Sequence, residues 1–309
     1  MRQRSQLVGV ILSTGLEHPD IGHPFFQDVL VGLKQGIGAA GYDVLLFATE
    51  RPESDSNGAH SYLGRARHHR VDGVVLMGER DDPEVTKLVE ADVPLIGVDL
   101  DVSGRRASYV SSDNVGGARL AVRHLHRLGH RRIATIAGPE HSKPGGDRLV
   151  GFRAELQALG IESRPEYEEI GDWYSESGER AMQALLALPE PPTAVFAAAD
   201  MMAVGAMKAA RDAGLAVPGD LAVVGFDDIQ LASLLDPGLT TIHQDKVGLG
   251  RAAARALLEQ IENPEMTPAA LTLPVELIIR GSCGWTKEAV GASTTTRDPI
   301  VERAEGGEG

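Results

Sequence analysis

The sequence has a single cysteine, few aromatic residues and no apolar run of membrane-spanning length. Of its 309 residues, 4% are aromatic and only Cys283 carries a thiol. One cysteine excludes an internal disulfide and fits a reducing compartment. A transmembrane helix needs about 20 predominantly apolar residues in a row, and no such run occurs. Residues 1–6 also lack the basic and apolar regions of a signal peptide, so we expect a cytoplasmic protein with no membrane partner.

Positive charge is scarce as well. The chain has 30 Lys and Arg residues against 44 Asp and Glu residues, a formal net charge of −14. A protein that binds nucleic acid along its own surface usually has a basic balance or a basic stripe. The basic clusters at 65–70 and 123–132 are short and are interrupted by histidine. We therefore expect any contact with DNA to come from a segment that is not in this sequence.

Signatures of catalysis, metal binding and cofactor binding are also missing. On a helix, His124, His126 and His130 fall on different faces, so we expect solvated histidines rather than metal ligands. The glycines at 36, 38 and 41 match a dinucleotide-binding pattern, but they close a predicted helix instead of following a strand. Helix packing and a helix end explain them better. No local signature marks a nucleophile, so we predict no catalytic residues, no metal and no cofactor.

Short apolar segments alternate with amphipathic ones along most of the chain. Predicted strands lie at 7–12, 43–47, 73–77, 94–98, 132–136, 194–197 and 221–226. Predicted helices lie at 25–40, 57–70, 83–90, 114–128, 147–159, 175–188, 200–213 and 247–261. Such alternation is typical of an α/β fold with a parallel sheet covered on both faces. The strands fall into two sets divided near residues 111–114, which predicts two doubly wound sheets in tandem.

Glycines mark the predicted helix ends. Each follows an apolar helical run, at the position where a left-handed backbone ends a helix: Gly41, Gly129, Gly160 and Gly214. Residues 285–309 show no periodicity, and we expect them to be a disordered tail.

Isolated polar residues stand at the carboxyl ends of the strand-like segments, where open parallel sheets bind ligands. They are Asp99, Asp200, Asp227 and Gln244, and Trp173 lies in a nearby loop. Carboxylates and amides can chelate adjacent hydroxyls, and an indole can cover the apolar face of a sugar. A helix N-cap is the alternative for each carboxylate. The pattern favours ligand contact for Asp99 and Asp227 and leaves both interpretations open for Asp200.

These residues belong to a longer resemblance that runs from Leu7 to about Cys283. The order and spacing of several segments resemble the effector-binding core of LacI/GalR transcription regulators. Each segment alone is a weak signal, and it is the whole set, in order, that is specific; Leu128-Gly129-His130-Arg131-Arg132-Ile133-Ala134 is especially characteristic. The others include His23-Pro24-Phe25-Phe26, Val217-Pro218-Gly219-Asp220, Val223-Val224-Gly225-Phe226-Asp227-Asp228 and Leu239-Thr240-Thr241-Ile242-His243-Gln244.

The resemblance implies a fold like that of type I periplasmic binding proteins. Two Rossmann-like subdomains would be joined by three hinge crossings, near 112–114, 241–246 and 274–276, with the ligand between them. The amino-terminal subdomain would comprise residues 7–112 and 246–273, and the carboxyl-terminal subdomain residues 113–245 and 274–284. This division places the tail, 285–309, outside both subdomains.

The resemblance also implies ligand-contacting positions. Phe25 and Phe26 would line the wall of the first subdomain, with His23, Ser13 and Asp99 on the same side. The second subdomain and the hinge would contribute Arg148, Trp173, Asp200, Asp227 and Gln244. Ala199 stands where many sugar-responsive members have Asn or Ser, which leaves the identity of the sugar open.

The function implied is that of a sensing and dimerisation core. A small effector, a mono- or disaccharide, would switch the affinity of a homodimer for operator DNA, which is contacted only through a headpiece absent from this chain. The first helix, around Lys34, would contribute to the dimer. Two alternatives share the fold: the solute-binding protein of a sugar ABC transporter, and an enzyme. The missing export signal counts against the first, and the missing nucleophile counts against the second.

Overall fold

Strands and helices alternate along the part of the chain that the structure, a computed structural model, describes: residues 4–13, 22–47, 61–78, 82–284 and 303–304. The strands are β1 (Leu7–Ser13), β2 (Asp43–Phe47), β3 (Gly73–Gly78), β4 (Leu95–Val98), β5 (Ala107–Ser112), β6 (Ile133–Ala137), β7 (Glu168–Ile170), β8 (Ala194–Ala197), β9 (Ala222–Asp227), β10 (Thr240–Gln244), β11 (Leu271–Leu273), β12 (Val275–Ile279) and β13 (Arg303–Ala304). The helices are α1 (Pro24–Ala39), α2 (Tyr62–His68), α3 (Pro83–Glu90), α4 (Asn114–Arg127), α5 (Lys143–Ala158), α6 (Ser175–Leu186), α7 (Asp200–Asp212), α8 (Gln230–Leu234) and α9 (Lys246–Glu262). This alternation confirms the predicted α/β class.

The chain divides into two units. Unit 1 comprises Met1–Ser112, His141–Lys143 and Asp245–Leu273, and unit 2 comprises Asp113–Glu140, Pro144–Gln244 and Pro274–Gly309. The division differs from the sequence-based one at residue 245 and at residues 141–143. Each unit is therefore assembled from separate stretches of the chain.

Each unit holds one sheet. In unit 1 all neighbouring strands are parallel, in the order β11-β5-β4-β3-β1-β2. In unit 2 the order is β13-β12-β10-β9-β8-β6-β7, and only the β10–β12 pair is antiparallel. The central strands are apolar and buried along their whole length because helices cover both sheet faces. In both sheets the strand order reverses beside the first strand, and ligands bind outside the carboxyl ends of strands at such a switch point.

All seven predicted strands are present. Of the six others, β10 was implied only by the expected position of Gln244 at a strand end, and β5, β7, β11, β12 and β13 were not predicted. The four predicted helix-ending glycines all have positive φ: Gly41, Gly129, Gly160 and Gly214. The prediction that glycine marks these helix ends is confirmed.

Helices α1 and α9 of unit 1 cross in close backbone contact. A Cβ atom at Gly32 would lie 2.0 Å from the carbonyl oxygen of Val247, and one at Gly250 would lie 2.1 Å from that of Val29. Gly36 faces the same helix, since a Cβ there would lie 2.7 Å from the Cβ of Ala254. Of the three glycines for which helix packing or a helix end was predicted, Gly36 packs against α9 and Gly41 ends α1 with positive φ, whereas a Cβ at Gly38 would meet nothing within 4 Å.

One sequence-based expectation is wrong. His124 is not solvated: it is 6% exposed on the inner face of α4, and its Nε2 lies 3.2 Å from the Sγ of Cys283. Burial lowers the pKa of His124 to about 4. The thiol of Cys283 that it contacts is buried as well.

Two further expectations fall largely outside the described residues. The predicted tail is described only at Arg303–Ala304, which pair with Ile278 and Ile279. The predicted helix at 57–70 is described from residue 61 onward, where α2 begins at Tyr62. Among the described helices, none combines the length and the hydropathy needed to cross a bilayer.

Candidate functional site

The carboxyl end of β9 places Asp227 in a strained, buried position. Asp227 is the last residue of the strand, is 3% exposed and has φ of +118°. Its Oδ1 accepts a 2.6 Å hydrogen bond from Nε2 of Gln244, the last residue of the neighbouring strand β10. The same oxygen lies 3.6 Å from Nη1 of Arg148. Since Asp227 does not begin a helix, the N-cap alternative for it is wrong.

Arg148 is fixed on three sides. Its Nε donates to Oδ1 of Asn114 at 2.8 Å, its Nη1 donates to the carbonyl oxygen of Ala198, and the centre of its guanidinium lies 3.6 Å from the ring centroid of Phe226. The side chain is buried, so the guanidinium charge is shared between Asp227, hydrogen-bond acceptors and an aromatic face. This arrangement places a rigid planar donor group next to a carboxylate.

Trp173 lies beside this cluster. It follows β7 with φ of +79°, and its ring centroid is 5.6 Å from the guanidinium of Arg148. A Cβ at Gly138, just after β6, would lie 2.1 Å from the indole ring, so the ring packs directly on that glycine. The indole is half-buried and therefore keeps an accessible part.

Asp200 lies beneath the same strand ends and is fully buried. Its Oδ2 accepts from the backbone N–H of Ile229 at 2.9 Å, and its Oδ1 pairs with the hydroxyl of Thr241. Burial and the nearby charge of Asp227 raise the pKa of Asp200 well above its ordinary value. The N-cap alternative is wrong here too. The preceding residue, Ala199, is the N-cap of α7, and no side chain caps the helix. Both carboxyl oxygens hold protein groups, which ties the start of α8 to β10.

The residue after Asp227 is held just as firmly. Asp228 has φ of +52°, and its Oδ1 accepts from Nη2 of Arg280 at 2.8 Å. Its Oδ2 lies 2.9 Å from Nδ1 of His243, which precedes Gln244 on β10. Burial raises the pKa of Asp228, but the bonds to His243 and Arg280 outweigh it, so the net pKa is lowered and the carboxylate stays ionised.

Unit 1 has its own buried carboxylate at a strand end. Asp99 follows β4, is 7% exposed and has φ of +52°. Its Oδ1 accepts a 2.6 Å hydrogen bond from the hydroxyl of Ser111 on β5. Asp99 caps no helix either, so the N-cap alternative fails for it as well. Asp99 therefore lies at the carboxyl edge of the unit 1 sheet.

His23 and the two phenylalanines meet at the start of α1. The Nδ1 of His23 accepts from the backbone N–H of Phe25 at 3.3 Å, which leaves Nε2 to carry the proton of the neutral ring. The rings of His23 and Phe26 are 6.0 Å apart, and those of Phe25 and Phe26 are 5.4 Å apart. Phe25 is buried in the core of unit 1, whereas Phe26 is half-buried. The side chain of Ser13 lies outside the described residues.

The structure gathers the predicted residues of unit 2 into one set and leaves those of unit 1 in two groups. In unit 2, Arg148, Trp173, Asp227 and Gln244 lie together, with Asp200 beneath them. In unit 1, His23 meets the two phenylalanines, and Asp99 pairs with Ser111. Sequence reasoning missed the residues that hold these groups in place: Ser111, Asn114, Phe226, Asp228, His243 and Arg280. Phe226, Asp228 and His243 lay within quoted motifs, and this was the only signal that could have found them.

Comparison with known proteins gives one consistent match. The model of the periplasmic binding protein-like domain family matches residues 122–283, about half of the chain. The chain is 37% identical over 283 residues to the HTH-type transcriptional regulator CelR of Thermobifida fusca, covering 91% of this chain and 82% of that protein. It is 36% identical over 265 residues to the HTH-type transcriptional repressor CytR of Escherichia coli K12, covering 85% and 77%. The chain belongs to the LacI family of transcriptional regulators.

Solved structures of LacI-family proteins show the same fold. The CelR–cellobiose complex matches with a TM-score of 0.82 at 37% identity, over 91% of this chain and 85% of that one. The lac repressor dimer bound to operator and the anti-inducer ONPF matches with a TM-score of 0.77 at 30% identity, over 91% and 94%. The predicted resemblance is confirmed, and membership of the LacI family is favoured over a transporter's solute-binding protein. The curated relatives are transcriptional regulators and repressors, not enzymes.

Proposed function

We propose that this LacI-family chain is the sensing core of a transcription regulator and that its effector is a small carbohydrate, a mono- or disaccharide. The observation that carries the proposal is the set of Arg148, Asp227, Gln244 and Trp173 at the strand ends of unit 2. A carboxylate and a guanidinium held side by side can bind adjacent hydroxyls through charge-assisted hydrogen bonds. An indole beside them suits the apolar face of a sugar ring.

Backbone strain at the strand ends supports this assignment. Asp99, Trp173 and Asp227 have positive φ, although none of them is glycine. Such conformations persist where the surroundings enforce them, and they cluster at ligand sites. We therefore include Asp99 of unit 1 among the proposed ligand contacts, together with His23 and Phe26.

Cellobiose is the first probe, because the CelR structure at 37% identity is a cellobiose complex. Thermal unfolding and titration calorimetry with cellobiose, ribose and other mono- and disaccharides measure binding. Arg148→Lys and Asp227→Asn each remove charge-assisted hydrogen bonds, which costs about 1.5–3 kcal/mol, or roughly tenfold to hundredfold in affinity. Asp99→Asn tests unit 1 in the same way.

Glu168→Gln is the matched control, since the carboxylate of Glu168 pairs with Arg153, whose side chain is 52% exposed, and with no residue of the set. It keeps the wild-type affinity. Normal binding by both Arg148→Lys and Asp227→Asn contradicts the assigned residues, and no response to any carbohydrate contradicts the sensor. Conversion of bound cellobiose to glucose points to an enzyme instead.

We further propose that the protein is a cytoplasmic homodimer and that DNA is contacted by a separate headpiece. Large apolar side chains are exposed on both units: Val31, Val44 and Leu46 on unit 1, and Leu231 and Leu234 on unit 2. Val44 and Leu46 lie on one face of the edge strand β2, and an exposed apolar patch can mark an association site. Sedimentation measures the mass in solution, and Leu234→Glu weakens the dimer. A monomeric wild type at micromolar concentration contradicts the dimer.

A further inference from the structure

Two consecutive residues at the end of β9 share an unfavourable backbone conformation. Asp227 has φ of +118° and Asp228 has φ of +52°. Residues with a Cβ atom avoid this region, so neighbouring groups must hold such a backbone in place. We name Asp227–Asp228 the carboxylate turn. What holds it fixes where the carboxylate of Asp227 points.

Two side chains, Arg280 and His243, hold the second half of the turn. Arg280, at the end of β12, donates Nη2 to Asp228 at 2.8 Å and Nη1 to the carbonyl oxygen of Leu239 at 2.9 Å. His243 contacts the other oxygen of Asp228 at 2.9 Å from β10. Arg280 is itself anchored, since its backbone N–H donates to the hydroxyl of Thr240. Asp228 is therefore tied to two strands.

Adjacent residues of β10 hold adjacent carboxylates. His243 pairs with Asp228, and Gln244 donates to Asp227. Successive side chains of a strand point to opposite faces, so the two contacts grip the turn from both sides. Release of Asp228 leaves the backbone of the turn free to return to a favourable conformation, which carries Asp227 away from Gln244 and Arg148.

We infer that Asp228 is the positioning residue for Asp227, and that Arg280 and His243 act on ligand affinity through it. This inference rests on the proposed function, because Asp227 is there a ligand contact. Asp228 itself directs its two carboxylate oxygens toward protein groups. Its role is to keep the carboxylate of Asp227 in a binding geometry before the ligand arrives.

The test reads the Asp227–Gln244 hydrogen bond without a ligand. In a sample labelled with ¹⁵N at glutamine side chains, the amide signals of Gln244 are those lost in Gln244→Met. Asp228→Asn, which keeps the shape but removes the charge, should shift these signals and speed their hydrogen exchange by about tenfold. His243→Ala, at a side chain that is 41% exposed, should produce the same change in a protein that keeps its core.

Conservative replacement separates positioning from a general loss of structure. Arg280→Lys keeps a cation beside Asp228 and should retain most of the Gln244 signal, whereas Arg280→Met should lose it. Glu168→Gln, which removes a surface ion pair of the same unit, should leave the signal unchanged. Unaltered Gln244 signals in both Asp228→Asn and His243→Ala overturn the inference.

Cellobiose titration of the same samples separates this inference from the proposed function. A roughly tenfold loss of affinity in Asp228→Asn, together with the altered Gln244 signal, supports both. If the variants alter the Gln244 signal but the wild type binds no carbohydrate, the positioning of Asp227 is supported and the carbohydrate sensor is contradicted. An unaltered signal with normal affinity contradicts the positioning role alone.

Discussion

Buried polar side chains decide the chemistry of this molecule one residue at a time. Three carboxyl groups, those of Asp200, Asp227 and Asp228, lie near one another at the strand ends of unit 2, and each is compensated differently. Asp227 has Arg148 and Gln244, and Asp228 has Arg280 and His243. Asp200 has a raised pKa that favours its neutral form. Compensation of this kind is necessary, since an unpaired buried charge is strongly destabilising.

His124 makes stability depend on pH. Its folded pKa is about 4 against an ordinary value of 6.5, because burial disfavours the charged ring. Between these pH values the unfolded chain binds more protons, so the free energy of unfolding falls as the pH drops from 6.5 toward 4. The loss amounts to about 3 kcal/mol at the low end. In His124→Gln, urea unfolding at a series of pH values should show a flatter dependence over this range.

The control for this prediction is His68→Gln, which removes an exposed imidazole of α2. It should keep the wild-type slope between pH 6.5 and 4. Equal slopes in His124→Gln and the wild type would show that the buried imidazole does not cause the acid sensitivity.

The buried side chains of Gln260 and Gln244 differ in their hydrogen bonding. Both are buried, but within the described chain neither the oxygen nor the nitrogen of the Gln260 side chain has a hydrogen-bond partner, whereas Gln244 donates to Asp227. Gln260→Met should therefore raise the free energy of unfolding by about 1 kcal/mol, since an unsatisfied buried amide is replaced by an apolar chain of similar size. Gln244→Met should lower it by a similar amount. Chemical denaturation measures both, and destabilisation by Gln260→Met contradicts the prediction.

At the scale of elements, the contact between α1 and α9 depends on glycine. Gly32→Ala places a methyl group 2.0 Å from the carbonyl oxygen of Val247, so the helices must separate. We expect a loss of about 3 kcal/mol or more in the free energy of unfolding. Gly38→Ala is the matched control on the same helix, because its Cβ meets nothing within 4 Å. It should stabilise by about 0.5–1 kcal/mol through helix propensity, and equal effects of the two changes would disprove close packing.

Elements with strong periodicity could be predicted, and elements defined by pairing could not. The seven predicted strands are apolar and carry their own signal. Strand β5 is rich in serine and β7 reads Glu-Glu-Ile, so their sequences do not distinguish them from loops. They are strands because a neighbouring strand offers hydrogen bonds along its edge.

The candidate site, too, could be predicted only where local sequence carries the signal. Asp99 and Asp227 could be predicted because ligands bind at the carboxyl ends of parallel strands, and a residue that directly follows a strand can be recognised from the sequence. The partners Ser111 and Arg280 come from other strands, and local sequence does not show which side chains meet there. The prediction of a solvated His124 failed for a related reason. Helix periodicity assigns a residue to a face of the helix, but it does not show what that face packs against.

At the scale of the whole molecule, charge argues against DNA binding by this chain alone. The net charge is −14, and three arginines in and just after α4 bind groups of the chain itself. Arg119 and Arg123 bind Glu155, and Arg131 donates to the carbonyl oxygens of His126 and His130. Fluorescence anisotropy with duplex DNA at low salt should detect no binding by residues 1–309. Binding that weakens steeply with added salt would contradict this expectation and point to phosphate contacts on the core.

The interleaved course of the chain has a consequence for its synthesis. Helix α9, which packs against α1, emerges from the ribosome only after residues 113–244 have been made. Until then the part of α1 that packs against α9 is uncovered, and a fragment that stops at residue 112 never covers it. We expect such a fragment to aggregate when expressed, so the two halves of this gene cannot be separated by a simple cut.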